Sequence, residues 1–532
     1  MSGWAVISLM GITAVLLPNL YILMSLFKAP NSNWQHIQQY LLKDYLFETI
    51  WLVGWSSILT VVIGLLLAWL VAAYDFPLKR FFRWAFILPL AFPPYIAAYT
   101  YSSMLSYTGF VQVFLRNQMG IAPDQKYFNI MSMNGAIFIF TMFLFPYVYM
   151  MTKVFLERQS ASLIENARLL GKNSFQIFVQ VVLPVSRAAI ISGVSLVIFE
   201  VLNDYGVTHY FGIQTFTNAI FRTWFGMYDI ESAMRLAALL MMGIIALLVL
   251  ERVLRQRLRF DMRRNRALKP IRLRGFSALG AVLFCSLIFA FSFLVPFVQL
   301  VVWAFWTYDQ VLNDRFVQLL QNTLFISSIA AACIMFFATV MANVTRANRS
   351  LGSAVLSRVI AMGYSIPGAV VAIGVLAVFL ALDVQLAEVY RMLGTSTQLV
   401  LSLSWVMLAV AYVIRFLAVG YGSVEVGFEK IGNRYHEASR LLGFGFTRSF
   451  FKVDLPLIKG AILTGTIMSF LEIIKELPLT LLLRPFNFDT LATKTYQYAS
   501  DEQIHQAAIP ALLIIGVSLI AVFIYHRLGE SR

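Results

Sequence analysis

Long apolar runs dominate this chain and restrict it to a fold embedded in a membrane. Of its 532 residues, 60% are hydrophobic and 13% are charged, whereas soluble domains carry roughly 25% charged residues. A helix of about 20 apolar residues spans a bilayer core of roughly 30 Å. We therefore predict an all-α membrane protein with about twelve transmembrane helices. The candidate runs are 4–27, 49–73, 84–106, 134–152, 187–205, 236–252, 277–304, 323–343, 354–381, 398–420, 461–483 and 507–526.

The positive charge of the chain is concentrated near its middle. The net charge is +15, and residues 252–274 alone contain ten Lys and Arg residues. With a cytoplasmic N-terminus and twelve crossings, this stretch and the C-terminus face the cytoplasm, where basic residues are enriched in membrane proteins. Anionic membrane lipid is the expected counter-charge. This distribution argues against a nucleic-acid-binding surface.

A polar segment occurs twice and indicates an internal duplication. ENARLLGKNSFQIFVQVVLP (165–184) and EASRLLGFGFTRSFFKVDLP (437–456) share nine of twenty residues at a shift of 272. The same shift pairs Gly193 with Gly465. An even number of helices per repeat makes two repeats parallel. We predict two parallel six-helix units, residues 1–251 and 276–532, joined by a basic cytoplasmic linker, residues 252–275.

The order of residues in the repeated segment predicts a short helix, a glycine turn and a second helix below the membrane. Glu165 and Glu437 suit a helix N-terminus, and a glycine commonly ends a helix. Ala167 and Ser439 are small, so a partner protein could approach the backbone there. Such a pair of helices could enter a groove on a soluble partner. The alternative is an interfacial helix that only connects two spans.

These segments resemble the EAA motif of ABC importer permeases, which reads Glu-Ala-Ala, then a Gly after three further residues, and later Leu-Pro. In that family the motif forms the coupling helix, which docks into a cleft of the ATP-hydrolysing subunit. Asn166 replaces the first Ala in one copy, and Ser439 replaces the second Ala in the other. The resemblance implies a duplicated ABC type I importer transmembrane domain. It assigns ATPase coupling to Glu165, Ala167, Arg168, Leu170, Gly171, Pro184, Glu437, Ala438, Arg440, Leu442, Gly443 and Pro456.

The chain carries no nucleotide-binding motif of its own. The pattern G-x-x-x-x-G-K-[ST], with which P-loop ATPases cradle nucleotide phosphates, is absent from the sequence. We therefore expect a permease rather than an enzyme, without a cofactor. The resemblance implies two copies of a partner ATPase, a periplasmic binding protein that delivers the substrate, and a location in the bacterial inner membrane.

Two pairs of acidic residues lie in apolar runs, where an ionisable side chain often marks a transport path. Glu200 and Asp204 are four residues apart, as are Glu472 and Glu476, so each pair shares a helix face. Carboxylates suit hard cations. With the neighbouring Tyr205, and with His209 and Tyr210 nearby, they would favour ferric iron. Alternatively, Lys475 neutralises one acid of the second pair, or the acids only join the two repeats.

A second resemblance concerns the cargo. The stretches EVLNDYG and KELPLTLLLRPFNFDTLA are similar to those of fused ferric-iron transport permeases. They imply a ferric-iron path and a ferric-iron-binding protein as partner, with no fixed metal site. The substrate-path residues would be Glu200, Asp204, Tyr205, Glu472 and Glu476.

Other readings of the sequence remain open. The same machinery could import thiamine, phosphonate or polyamine, and a proton-coupled secondary transporter would also have two parallel halves. Tyr95, Tyr99 and Tyr101 follow the Pro93–Pro94 pair in the third run. They are candidates for a gate or for an aromatic belt at the membrane interface.

Overall fold

The computed structural model describes residues 2–158, 161–256, 270–347, 351–392 and 399–530. In these ranges the chain is helical apart from short turns and one two-residue strand pair, β1 (Tyr74–Asp75) and β2 (Ile271–Arg272). The N-terminal half contains α1 (Ser2–Met24), α2 (Ser32–His36), α3 (Leu42–Ala73), α4 (Lys79–Ala85), α5 (Pro94–Leu105), α6 (Phe110–Met119), α7 (Met133–Arg158), α8 (Ala161–Leu169), α9 (Ser174–Ile177), α10 (Leu183–Val185), α11 (Arg187–Asn203), α12 (Gly206–Tyr210), α13 (Phe216–Phe221) and α14 (Ile230–Gln256).

The C-terminal half follows the same order of elements. It contains α15 (Phe276–Phe289), α16 (Val295–Val311), α17 (Asp314–Ala347), α18 (Leu351–Gly363), α19 (Gly368–Met392), α20 (Trp405–Ile431), α21 (Arg434–Leu441), α22 (Phe446–Ser449), α23 (Leu455–Lys475), α24 (Pro478–Leu483), α25 (Leu491–Ser500) and α26 (Ala508–Glu530).

The predicted all-α membrane architecture is confirmed. Within the described ranges, nine helices are long and apolar enough to cross a membrane, and two bent pairs raise the number to eleven. The bent pairs turn by 94° after Ala91 and by 72° after Val185. A shorter apolar helix covers Ala508–Phe523. Each of the twelve predicted runs overlaps one of these elements.

Three helices form the packed centre of each half. They are α3, α7 and α11 in the N-terminal half and α17, α20 and α23 in the C-terminal half. Glycines allow close approaches between these helices: a Cβ on Gly193 would lie 2.8 Å from Val148 Cα, and one on Gly465 would lie 3.0 Å from Ser423 Cβ. Small residues at such crossings let spanning helices pack by direct backbone contact. The pairing of Gly193 with Gly465 in the sequence therefore has a structural counterpart.

The first helix of each half packs against the opposite half. Helix α1 lies mainly on α17 and α19, where a Cβ on Gly374 would come within 2.9 Å of the Pro18 carbonyl oxygen. Helix α15 lies on the N-terminal half, with Cys285 fully buried in the apolar cluster that contains Phe86. The Phe289 ring centroid is 5.3 Å from that of Phe81. The two halves thus clasp each other.

Four helices break at matching places in the two halves, and three of these breaks lie inside predicted runs, one of them inside run 84–106 at the Pro93–Pro94 pair. Run 354–381 is interrupted between Gly363 and Gly368, and run 461–483 is interrupted between Lys475 and Pro478. Proline provides no amide hydrogen and disfavours a helical residue before it, which accounts for breaks ahead of Pro367 and Pro478. The corresponding breaks in the N-terminal half precede Pro94 and follow Asn203.

The end of the predicted linker is attached to the N-terminal half. Strand β2 runs parallel to β1, with Tyr74 opposite Ile271, and the Leu273 amide donates to the Asp75 carbonyl at 2.8 Å. The preceding linker residues 257–269 lie outside the described residues.

Candidate functional site

The four helix breaks surround a cavity of about 90 Å³ between the two halves. One water needs roughly 10–15 Å³, so the cavity admits several waters or a metal ion with part of its hydration shell. All five residues of the predicted substrate path line it. The lining is Leu90, Phe92, Pro93, Pro94, Tyr95, Phe143, Leu144, Tyr147, Glu200, Asn203, Asp204, Tyr205, Gly206, Tyr364, Arg415, Glu472, Lys475, Glu476, Leu477 and Pro478.

Asp204 and Glu476 play the same local role in the two halves. Asp204 Oδ1 accepts from the Val207 amide at 2.9 Å, and Glu476 Oε1 accepts from the Leu479 amide at 3.1 Å. Each carboxylate thereby satisfies a free amide at the start of a short helix, α12 or α24. The helix breaks thus place one carboxylate of each half at the cavity wall.

Glu200 receives hydrogen bonds from both halves. Its Oε1 accepts from the Tyr147 hydroxyl and from the Tyr364 hydroxyl, each at 3.3 Å. Tyr364 lies in the break between α18 and α19. Neither tyrosine was singled out by the sequence, since an isolated Tyr in an apolar run carries no local sign of a polar partner.

The second acidic pair is ion-paired. Lys475 Nζ lies 2.8 Å from Glu472 Oε1, as the alternative reading of the sequence anticipated. Arg415 Nη2 lies 3.3 Å from Glu476 Oε2, and both side chains are about 95% buried. Sequence reasoning missed Arg415, although a single arginine inside an apolar run is a recognisable sign of a functional or paired charge.

Arg415 also connects the two halves. Its Nη1 donates to Asn203 Oδ1 at 3.1 Å and to the Ile366 carbonyl at 3.3 Å. The Gly368 amide donates to the same Asn203 oxygen at 2.8 Å. Asn203 therefore joins the end of α11 to the start of α19 beside the acids.

Carboxylates outnumber cations at this cavity by four to two, from the lining residues Glu200, Asp204, Glu472 and Glu476 against Arg415 and Lys475. In the part of the chain that the structure describes, no group of three or more His, Cys, Asp or Glu side chains is arranged to hold one metal ion. The acids thus share a cavity without converging on one point.

An aromatic layer separates this cavity from larger spaces beyond it. Tyr205 stacks on His209 with ring centroids 4.8 Å apart, and Tyr496 hydrogen-bonds His209 Nδ1 across the halves. Beyond the layer, His209 lines cavities of about 910 and 440 Å³. Tyr95 lies in the same layer, 6.4 Å from the Tyr496 ring. Tyr95 is buried, which favours a gate over an aromatic belt for this residue.

The two repeated polar segments fold alike. Helices α8 and α21 each end at a glycine with positive φ, +76° at Gly171 and +83° at Gly443. In the first segment, the amides of Gly171 and Lys172 donate to the carbonyls of Arg168 and Ala167 at 3.0 and 3.1 Å, and the second segment repeats this pattern. These paired bonds define a Schellman ending. The predicted short helix and glycine turn are therefore present in both copies.

Two details of these segments differ from expectation. Glu165 lies inside α8 rather than at its start, because the helix begins at Ala161, whereas Glu437 does lie in the first turn of α21. Ala167 and Ser439 are 8% and 4% exposed. They face the protein itself, so a partner does not reach the backbone there in this arrangement.

Among its exposed residues, each segment instead presents a pair of leucines at equivalent positions. Leu169 and Leu170 are 85% and 79% exposed, and Leu441 and Leu442 are 90% and 79% exposed. Exposed apolar groups that recur at equivalent positions indicate a contact surface.

The segments are held to the protein by different forces. Ile164 and Val182 bury the first one in an apolar cluster. In the second, the equivalents of these two residues are His436 and Asp454, whose Nδ1 and Oδ2 atoms are 2.7 Å apart, and Arg346 Nη2 lies 2.7 Å from the same oxygen. His436, which lies on α21, is thus part of an ion-paired anchor.

Comparison with known proteins agrees with these features. The family described as binding-protein-dependent transport system inner membrane component matches residues 60–260 and 334–532. The Fe(3+)-transport system permease protein FbpB 2 of Haemophilus influenzae is 25% identical over 91% of this chain and 90% of its own length. The putative ferric transport system permease protein FbpB 1 of the same organism is 23% identical, over 86% and 74%. The sulfate transport system permease protein CysT of Salmonella typhimurium is 32% identical, over 28% of this chain and 52% of its own length. This chain is a multi-pass membrane protein that belongs, through two copies of the domain, to the family of binding-protein-dependent transport system inner membrane components.

Proposed function

We propose that this chain is the permease subunit of an ATP-driven importer and forms the path for ferric iron. The observation that carries the cargo assignment is the oxygen-rich cavity at the four helix breaks. Four carboxylates and four tyrosines, Tyr95, Tyr147, Tyr205 and Tyr364, line it. Hard cations prefer oxygen ligands. The full-length likeness to ferric-transport permeases supports the same cargo.

The assembly we propose has two ATPase subunits and a periplasmic ferric-iron-binding protein, in the bacterial inner membrane. Residues 1–251 and 276–532 form the two transmembrane units, and residues 252–275 link them in the cytoplasm, where both termini lie. One ATPase docks on each of α8 and α21 through the exposed leucine pairs. Helix-in-groove docking of this kind places apolar anchors at neighbouring turns of a helix.

Coupling follows from the way each segment continues into its half. Helix α21 leads through α22 into α23, which ends at the cavity acid Glu472 and its partner Lys475. When ATP draws the two ATPases together, the segments move together and the halves rock about the cavity. The aromatic layer then opens towards the binding protein. Hydrolysis of ATP reverses the movement.

An oxyanion is the second candidate cargo. It is favoured by the similarity to a sulfate permease over part of the chain and by Arg415 and Lys475 at the cavity. Both cations are already paired with carboxylates at 3.3 and 2.8 Å, and the acids remain in excess. This balance of charge favours a cation.

Uptake of radioactive ferric iron tests the proposal. Cells lacking this protein would receive the wild type, the double variant Glu200→Gln/Asp204→Asn, or the control Glu388→Gln at an exposed site. We expect wild type and control to restore uptake and the double variant to lose at least about 90% of it, at equal membrane levels, since both ionised ligands are removed. Restoration of radioactive sulfate uptake without iron uptake would establish the oxyanion instead.

A further inference from the structure

The two acidic pairs at the cavity differ in their partners. Glu472 and Glu476, from the C-terminal half, are each ion-paired, with Lys475 and with Arg415. Among the described residues, no basic nitrogen lies within 4.0 Å of Glu200 or Asp204 in the N-terminal half. These two carboxylates accept only from hydroxyls and amides. One half therefore offers carboxylates without a direct ion pair, although Lys475 and Arg415 also attract Glu200 at longer range, and the other half offers carboxylates that are directly paired.

The cations that pair with the acids are not duplicated in the internal repeat. At the shift of 272, Lys475 corresponds to Asn203 and Arg415 to Phe143, and both of these neutral residues also line the cavity. The acids are duplicated, but the cations are present once. The N-terminal acids are satisfied by hydroxyls and amides instead, so the two cations are not a feature that the duplicated fold requires.

We propose that Arg415 and Lys475 are specificity-determining residues. They act as tethered competitors, that is, cationic side chains of the protein that occupy the carboxylates in place of a metal ion. Abundant monovalent and divalent cations do not displace them, whereas a trivalent ion does. This inference rests on the proposed ferric-iron path. The N-terminal acids receive the ion first, and the C-terminal acids join only when the ion displaces their built-in partners.

The argument is electrostatic. At equal distance an ion of charge z attracts a carboxylate about z times as strongly as an ammonium or guanidinium group does. Exchange of a tethered cation for Na⁺ or K⁺ therefore gains no electrostatic attraction to the carboxylate. Exchange for a divalent ion gains about half as much attraction as exchange for a trivalent ion. Mg²⁺ also gives up its water reluctantly. Displacement of the tethered cations thus costs the same free energy of binding for every ion. Only an ion of high charge gains enough attraction to the carboxylates to offset that cost.

Both cations can separate from their carboxylates and still have hydrogen-bond partners. On separation from Glu476, the Arg415 guanidinium still donates to Asn203 Oδ1 and to the Ile366 carbonyl. Lys475 is 27% exposed and lies at the cavity, so its ammonium can be hydrated there. After the cargo leaves, both groups can return to their acids, which would assist release.

The experiment uses the purified permease and Tb³⁺, a hard trivalent probe whose emission is sensitised by nearby tyrosines such as Tyr147 and Tyr364. In each variant the Tb³⁺ concentration would be kept well below its own dissociation constant, so that half-displacement reports the affinity of the competing ion itself. Emission would then be titrated with Ga³⁺ and, separately, with Mg²⁺. We expect Ga³⁺ to displace Tb³⁺ from the wild type and millimolar Mg²⁺ to displace little. In Lys475→Met and Arg415→Gln, the Mg²⁺ concentration for half-displacement should fall at least about tenfold. In the charge-preserving Lys475→Arg it should match the wild type.

The outcomes separate the two proposals. If the wild type binds Tb³⁺ no better than Glu200→Gln/Asp204→Asn, the cavity is not a cation site and the proposed function fails. If the wild type binds Tb³⁺ but Lys475→Met keeps the wild-type response to Mg²⁺, the ferric path stands and the tethered-competitor role is overturned. Arg415 is deeply buried, and Arg415→Gln could elute as an aggregate. In that case the result with Lys475→Met decides the test.

Discussion

Leu169 and Leu441 lie 272 residues apart at the same position of the two repeated segments, and their side chains are 85% and 90% exposed. Each is followed by a second leucine that is 79% exposed. Burial of one leucine stabilises a complex by about 1.5–3 kcal/mol. Each pair is therefore a large part of the apolar surface that its segment can offer to a partner.

Replacement of these leucines should detach the ATPase. We expect Leu169→Ala/Leu441→Ala to weaken capture of the ATPase by the purified permease by about tenfold or more per site. Co-purification and ATP hydrolysis by the reconstituted complex measure this. Leu463→Ala, at an exposed position of α23, is the control. Unchanged capture by the double variant would place the docking surface elsewhere.

Asn203 should stabilise the contact between the halves. Asn203→Ala leaves the Gly368 amide and one Arg415 donor without their shared acceptor. An unsatisfied buried donor costs about 1–3 kcal/mol, so the variant should melt at a lower temperature in detergent. Thermal unfolding followed by tryptophan fluorescence would show this. A melting temperature equal to that of the wild type would mean that water replaces the side chain.

Gly206 should be intolerant of any side chain. A Cβ there would lie 2.5 Å from Tyr95 Cβ and 3.1 Å from Leu477 Cδ2, so Gly206→Ala forces the aromatic layer away from α24. We expect a loss of transport with normal insertion into the membrane. Gly243→Ala, which meets nothing within 4 Å, should transport normally. Full activity of Gly206→Ala would show that the layer moves freely.

Asp454 should anchor only the second of the two repeated polar segments. Asp454→Asn removes the charge that Arg346 and His436 share, and loss of one partner from a buried ion pair costs about 3–5 kcal/mol. Hydrogen exchange of α21 should become faster. Exchange of α8, which is held by apolar contacts, serves as the internal control. Equal acceleration in both helices would indicate a global loss of structure rather than a local anchor.

Local patterns in the sequence predicted much of this protein. Apolar runs located the spanning elements because a bilayer imposes a minimum length, and the repeated segment located α8 and α21 because glycine ends a helix in a recognisable way. The acids of both pairs were found because charge is rare in such runs.

What the sequence did not predict depends on contacts between distant parts of the chain. The hydroxyl of Tyr364 reaches Glu200 only because α18 and α19 are interrupted beside α11. The pairing of Arg415 with Glu476 requires α20 to lie next to the start of α24. The burial of Ala167 depends on what packs against α8, which a segment of 20 residues does not contain.

The packing of each first helix against the opposite half has a consequence for biosynthesis. Met24 ends α1, and Asp314 begins α17, the first of its main packing partners to be made, 290 residues later. At roughly 5–20 residues per second, the ribosome needs about 15–60 s to cover that distance. During this interval the main packing partner of α1 that has been made is α14 of its own half, and the faces of α1 that later contact α17 and α19 must be covered by lipid or by insertion factors.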